Sequence, residues 1–447
     1  MRHTSLLLAA TLLAAAPAAA EPVMLISIDG LRPGDVLEAA QRGLKIPNLR
    51  RFTREGAYAT GVVGVLPTVT YASHTTLITG VSPARHGVLS NTTFDPLLIN
   101  QEGWYWYASD IKVPTLWQAA SKAGKTVGSV HWPVSVAAAG ITWNLAQYWR
   151  TGHADDSKLV DALSTPGLVA ELERATGESY APGIDSGIEA DENRGRFMTK
   201  LIEAHKPEFL TVYLAALDHA EHDHGPGSAE AHAYLERIDA IVGKLVAAEF
   251  AAHPDAVIAV ASDHGFESIS RETSLYRPFI DAGLITLDGK GAIKSWEAMP
   301  WIAGGSAAII LARPGDAALQ ARVAKILNDL KADPANGVAA VIGRDEIAKM
   351  GGNPEATFYV SMAPDTTIAG FAGADGPLRG PSQRKGMHGY FPQAANLHST
   401  FMIMGKGIPA GRSLGQIDMR TIAPTLASAL GVPLPTAELP ALPLSTK

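Results

Sequence analysis

Three short apolar runs in this chain each break off at acidic residues. VMLISIDG runs into Asp29, FLTVYLAALDHAEH into Asp218, and AVIAVASDHG into Asp263 and His264. Continuously apolar runs of this length suit strands buried on both faces of a parallel sheet. Amphipathic stretches alternate with them. AYLERIDAIVGKLVAAEF places Leu235, Ile238, Val242, Leu245 and Val246 on one helical face just before the third run. The alternation predicts an α/β, doubly wound fold: a mostly parallel sheet with helices on both faces. In such sheets ligands bind beyond the carboxyl ends of the strands, and the acidic endings lie there.

From about Arg271 to Gln383 the texture changes. Gly and Pro become dense in AGGSAAIILARPGD, KADPANG and KMGGNPEA, and a shorter helix, ALQARVAKILNDL, sits between apolar stretches. This reads as an inserted αβ cap subdomain over 271–383, with the catalytic core formed by 21–270 and 384–447. The opening MRHTSLLLAATLLAAAPAAAEPVM has a basic Arg2, an apolar run from Leu6 to Ala15, and Ala18 and Ala20 in the A-x-A pattern. It reads as a signal peptide over 1–20, cleaved after Ala20; the apolar run falls short of the roughly 20 residues a span needs. Export to a periplasm or the outside is therefore expected.

With 447 residues, 47% of them hydrophobic, the chain can bury a large core. A net charge of −7 without basic blocks argues against binding a nucleic-acid duplex. Cysteine is absent, which excludes disulfides, thiolate metal sites and cysteine nucleophiles, and disfavours a sulfatase whose formylglycine matures from cysteine.

The candidate ligands Asp29, Asp218, His222, Asp263, His264 and His388 are carboxylate oxygens and imidazole nitrogens, a set that suits zinc or manganese. Asp218 and His222 stand at i, i+4 spacing, one side of a helical turn. His219 and His224 read as solvated polar residues. The stretch LPTVTYASHTTL crowds Thr68, Thr70, Ser73, His74, Thr75 and Thr76 together with no acid beside them in sequence. Such hydroxyls cap helices, or one of them is a nucleophile.

The motifs ISIDGLRPG, PTVTYASHTTLITGVSPARHGV, DHAEHDHGP, SDHGF and GMHGY follow one another as they do in the nucleotide pyrophosphatase/phosphodiesterase family of the alkaline phosphatase superfamily. The chain resembles that family from roughly Val23 to Gly389. The resemblance implies an alkaline phosphatase-like core and a secreted hydrolase with two zinc ions per chain that cleaves phosphate diesters through a phosphothreonine. Asp218, His222 and His388 would hold one ion; Asp29, Asp263, His264 and the Thr70 oxygen would hold the other. His398 in ANLHSTF competes for the last ligand, but GMHGY matches the family's HG motif better. Between Thr68 and Thr70, the family's pattern of Pro three residues before the nucleophile selects Thr70, with Pro67 at that offset. A hydroxyl activated by a metal needs no general base.

The chain departs from the family where FPNH is replaced by YASH, so Ser73 stands at the Asn position and would be the weaker donor to a phosphoryl oxygen. Tyr71 stands where the family has an aromatic that stacks on a nucleobase. Monoesterase relatives resemble one another in carrying a Lys-x-Arg pair after a middle strand. The corresponding stretch here, GKTVGSVHWPVS, has none and ends in His131, Trp132 and Pro133, close to the diesterases' WPGS. Lys125 and Arg85 read as surface residues. The substrate expected is thus a small phosphate diester or nucleotide. The alternatives are a phosphomonoesterase of the same superfamily and a metal-binding protein without catalysis. Oligomeric state is left open.

Overall fold

The computed structural model describes residues 20–100, 103–148 and 155–444, so the leader expected over 1–20 lies, Ala20 apart, outside the described residues. The three apolar runs become adjacent strands of one sheet. Its strands are β1 (Val23–Ile28), β2 (Ala57–Tyr58), β3 (Val127–Val130), β4 (Trp143–Leu145), β5 (Phe209–Leu214), β6 (Val257–Ala261), β7 (Phe401–Gly405) and β8 (Arg412–Ser413). They run in the order β8-β2-β7-β6-β1-β5-β3-β4. β1 is parallel to both neighbours, with Ile28 opposite Leu214 and Ser27 opposite Ala261, so the three carboxyl ends finish nearly flush. β7 is the antiparallel exception, against β6 and β2.

Both faces of β1 are buried. Met24, Ile26 and Ile28 pack into one apolar cluster with helices α2 (Ile188–His205) and α4 (Ala229–Ala252), where Phe197, Leu201, Leu235 and Ile238 meet them. Val23 and Leu25 face the other cluster, built by α1 (Thr70–Thr79) and α5 (Ile422–Leu430) through Leu77, Ile78, Ile422 and Leu426. This two-sided burial explains why the sequence shows unbroken apolar runs instead of alternation. On α4 the predicted stripe Leu235, Ile238, Val242, Leu245 and Val246 is buried throughout, each side chain worth about 1.5–3 kcal/mol. The Ser228 hydroxyl caps that helix by accepting the Ala231 amide at 3.2 Å.

A second, antiparallel sheet orders the strands Ala298–Ala303, Ser306–Leu311, Phe358–Met362 and Val338–Gly343. Helix Ala317–Ala332 covers one face through Leu319, Val323 and Leu327. From this sheet Trp301, Ala308 and Tyr359 also pack with Leu66, Tyr71 and Val88, beside the start of α1. The strand Glu267–Thr273 pairs with Asp365–Ile368, Arg379–Pro381 and Gly386–Met387. The outgoing and returning chains are thereby hydrogen-bonded together, and His388 follows at once.

Candidate active site

Each acidic run ends at the same place in space. Asp29 follows β1 directly, and Asp263 and His264 follow β6 after Ser262. After β5 the chain turns into helix α3 (Ala216–His224), which carries Asp218 and His222 one turn apart. Asp218 therefore sits in the first turn of a helix and not at the strand end itself. The turn is held from below: both carboxylate oxygens of buried Asp191 accept the Ala215 and Ala216 amides at 2.9 Å. Glycine after each HG histidine is required by packing. A Cβ on Gly265 would lie 2.1 Å from the Asn396 carbonyl, and one on Gly389, at φ +85°, 1.7 Å from that of Ala303.

The residues form two groups, Asp218, His222, His388 and Asp29, Asp263, His264, each with ligand atoms within 4.8 Å of one another. The histidine tautomers follow from their outer partners. Nδ1 of His222 lies 2.9 Å from the Gly386 carbonyl, that of His264 3.1 Å from Gly265 and that of His388 3.1 Å from Thr68. A carbonyl only accepts, so each Nδ1 carries the proton and each Nε2 presents a bare lone pair. Those lone pairs face carboxylates. His264 Nε2 is 3.2 Å from Asp29 Oδ1 and 3.3 Å from Asp263 Oδ2; His222 and His388 Nε2 are 3.5 and 3.6 Å from Asp218 Oδ1.

An acceptor facing an acceptor makes no hydrogen bond, and Asp29 Oδ1, Asp218 Oδ1, Asp263 Oδ2 and His264 Nε2 have no such partner among the described residues. The second oxygens are held by protein. Tyr213 donates its hydroxyl to Asp29 Oδ2, and the Gly30 amide reaches Asp263 Oδ1 at 3.3 Å. Asp29 and Asp263 are thus each oriented by one oxygen and left open at the other. Burial, then Asp263 and Asp218, push the Asp29 carboxyl well above its ordinary range, and burial pushes Asp218 up. Burial holds His264 and His388 well below theirs. Protonated imidazolium is disfavoured, and a metal cation would satisfy the carboxylate oxygens and the imidazole lone pairs together. Oxygen and nitrogen donors in this mixture fit zinc.

Thr70 opens α1 as its first residue, beside Asp29, Asp218, His222 and His388 along one cleft. Thr68 faces away and donates to the Tyr390 carbonyl at 2.8 Å. Thr75, Thr76 and Thr79 return their hydroxyls to carbonyls four residues back. Ser73 is fully buried one turn into α1; its hydroxyl has no hydrogen-bond partner among the described residues, and it does not line the cleft. Asn91 does, with its Oδ1 accepting the Tyr71 amide at 2.9 Å. Its Nδ2 cannot share that bond and is the available amide donor. Tyr71 is almost wholly buried, its hydroxyl tied to Gln147 at 2.7 Å and its ring 5.3 Å from Trp104. Trp104 continues the cleft wall, and Arg384 and His219 complete its rim.

His398 lies apart from both groups, its Nε2 3.4 Å from Gln416. Lys125 is paired with Glu208 at 3.1 Å and Arg85 with Glu438 at 3.7 Å; neither lines the cleft. Arg384, two residues before the GMHGY motif, is the cation that the sequence reading overlooked. Its signal was its place beside a ligand-bearing motif.

The comparisons agree with this geometry. The chain is 25% identical over 269 residues to human (Homo sapiens) ectonucleotide pyrophosphatase/phosphodiesterase family member 1, covering 57% of this chain and 24% of the relative. It is 25% identical over 254 residues to bis(5'-adenosyl)-triphosphatase ENPP4 of Bos taurus, covering 56% and 48%. The match thus spans about a quarter to a half of these relatives. Human ectonucleotide pyrophosphatase/phosphodiesterase 5 shares the fold at a TM-score of 0.65 and 18% identity, over 92% of this chain and 96% of that one. Residues 23–390 match the type I phosphodiesterase / nucleotide pyrophosphatase family, and the chain belongs to it.

Proposed function

We propose that this protein is an exported two-zinc phosphodiesterase that hydrolyses nucleotide-type phosphate diesters through a phosphothreonine at Thr70. The observation that carries this reading is the pairing of bare Nε2 lone pairs with bare carboxylate oxygens beside a helix-opening threonine. Asp218, His222 and His388 would hold one ion, and Asp29, Asp263 and His264, with Thr70, the other. When bound, zinc supplies Lewis acidity, so no side-chain base is needed near Thr70.

The chain's own residues do the rest. Thr70 Oγ, its proton given up to solvent, attacks phosphorus; the bond from phosphorus to the leaving oxygen breaks on the opposite side, and that alkoxide takes up a proton from water. Asn91 Nδ2 donates to a non-bridging oxygen, taking over the role that Ser73 cannot fill from its buried place. The amino end of α1 favours the anionic group. Water then cleaves the phosphothreonine. Murine ectonucleotide pyrophosphatase/phosphodiesterase 5, inactive as a threonine-to-alanine variant in complex with AMP, supports the same assignment by analogy.

Export belongs to this reading through the leader pattern and through relatives such as the venom phosphodiesterase of Macrovipera lebetinus. No helix of the described residues is long and apolar enough to cross a membrane. A phosphomonoesterase is the second reading, favoured by Arg384 on the cleft. Hydrolysis rates of the zinc-loaded mature chain across nitrophenyl nucleotide diesters, nitrophenyl phosphate and dinucleoside polyphosphates test the proposal. Turnover of none of them would leave a metal-binding protein without catalysis.

A further inference from the structure

The lone histidine among the threonines has an acid after all, 189 positions away in sequence. His74 is fully buried on α1, and its Nδ1 lies 2.8 Å from the Thr70 carbonyl and 3.5 Å from Asp263 Oδ2. Its Nε2 lies 2.8 Å from the Ser27 hydroxyl on β1. The Thr70 carbonyl only accepts, so Nδ1 carries a proton and Nε2 is free to accept from Ser27. The ring is clamped edge-on by Trp132 and Tyr213, at 4.9 and 4.7 Å between centroids and 77° and 75° between planes. Tyr213 in turn holds Asp29.

We propose that His74 is a positioning residue that ties the first turn of the Thr70 helix to Ser27 on β1, beside Asp263, fixing the Thr70 oxygen relative to the Asp29–Asp263–His264 group. The inference rests on the phosphodiesterase reading for its kinetic consequence, but its geometry stands without it. A nucleophile displaced by about 1 Å loses on the order of 100-fold in rate, and partners behind metal ligands set metal affinity by about 10- to 100-fold.

The test uses the full mature chain. Histidine-15N spectra, with and without zinc, should show His74 protonated at Nδ1, its signals assigned by their loss in His74→Asn. A neutral Nε2–H form would overturn the proposal. His74→Ala should lower kcat at least about 30-fold with KM within threefold, and weaken zinc binding at the Asp29–Asp263–His264 group about tenfold in chelator competition. His74→Asn, whose amide can still donate to the Thr70 carbonyl, should recover most of the loss. Equal damage in Asn and Ala variants, or a kcat that follows folded fraction alone, would overturn it. Should His74→Ala not fold, Ser27→Ala decides: a kcat loss of about fivefold supports the tie and an unchanged kcat removes it. A wild-type protein inactive on every ester would defeat the phosphodiesterase reading, leaving tautomer and zinc affinity to judge His74.

Discussion

The imidazoles of His264 and His388 stack with centroids 3.7 Å apart and 12° between their planes, joining the two ligand groups ring against ring. His264 points its Nε2 at Asp29 and Asp263, and His388 at Asp218, so the pair faces two buried acids and one part-buried acid with lone pairs alone. Without cations these acids repel one another in a site that water screens only weakly.

Removing metal should therefore cost stability as well as activity. A chelator is expected to abolish turnover and zinc to restore it. Zinc at about 100 times its Kd should stabilise the fold by about 2.7 kcal/mol, read as a rise in Tm. Asp263→Ala or His264→Ala should lose about one ion per chain by elemental analysis. Full activity in the stripped protein would sink the two-metal reading.

Thr70→Ala is expected to remove at least about 1,000-fold in kcat with the fold and most bound metal retained. Thr68→Ala gives up one buried hydrogen bond, worth about 1 kcal/mol of stability, and should leave kcat within tenfold. The reverse pattern would identify Thr68 as the nucleophile.

Asp191 supports the metal site from behind. It pairs with fully buried Arg194 at 2.5 Å while capping the turn that leads into α3. Asp191→Ala leaves that guanidinium with carbonyl partners but no counter-charge and frees two amides, so a loss of about 3–5 kcal/mol is expected in chemical denaturation. Zinc affinity at the Asp218 group should fall with it. A loss under 1 kcal/mol would show that the cap is dispensable.

Glu249 continues the buried stripe of α4, and neither carboxylate oxygen finds a partner among the described residues. Burial raises its carboxyl to about 8 from an ordinary 4.5. Below about pH 4.5 it is neutral folded and unfolded, and contributes no pH dependence. Between 4.5 and 8 the folded state binds the extra proton, so stability falls as pH rises, and above 8 the full cost is present. Glu249→Leu should thus raise stability by roughly 2–4 kcal/mol at pH 8 and by much less at pH 5. Equal gains at both pH values would show that the acid is not held neutral by the fold.

The strand ends, and with them the gathering of the candidate ligand residues at one place, were readable because burial on both faces of β1, β5 and β6 leaves an unbroken apolar run that must stop where polar chemistry starts. Asp218 and His222 were readable from one helical turn. Asn91 was not: it lies in an irregular loop where no periodicity marks which side chain meets the cleft. Ser73 lies off the cleft for a related reason, since α1 is buried on every side and its fourth residue does not line the cleft that Thr70 opens on. His74 looked acid-free because its acid arrives on another strand. Local pattern tells which face is buried, whereas contacts across the cleft depend on loops that the pattern does not constrain.

Choice between diester and monoester turns on charge in the cleft. A monoester brings roughly two negative charges to the site and a diester one, so a monoesterase needs cationic forks beyond its metals. Arg85 and Lys125 are engaged elsewhere at the surface, and Arg384 is the one arginine or lysine among the described cleft residues. Asp223 shares that rim and sits 3.7 Å from His219, which offsets part of its charge. One partly offset, solvent-exposed arginine is a weak substitute for a buried fork. The zinc enzyme should accordingly prefer a nitrophenyl nucleotide diester to nitrophenyl phosphate by at least about 100-fold in kcat/KM, or roughly 2.7 kcal/mol. Whatever monoester activity remains should lean on Arg384, so Arg384→Ala is expected to lower the monoester rate about tenfold more than the diester rate. Steady-state kinetics of both esters with both proteins at one pH decide the matter, and a clear monoester preference in the wild type would reverse the substrate assignment while leaving the metal site intact.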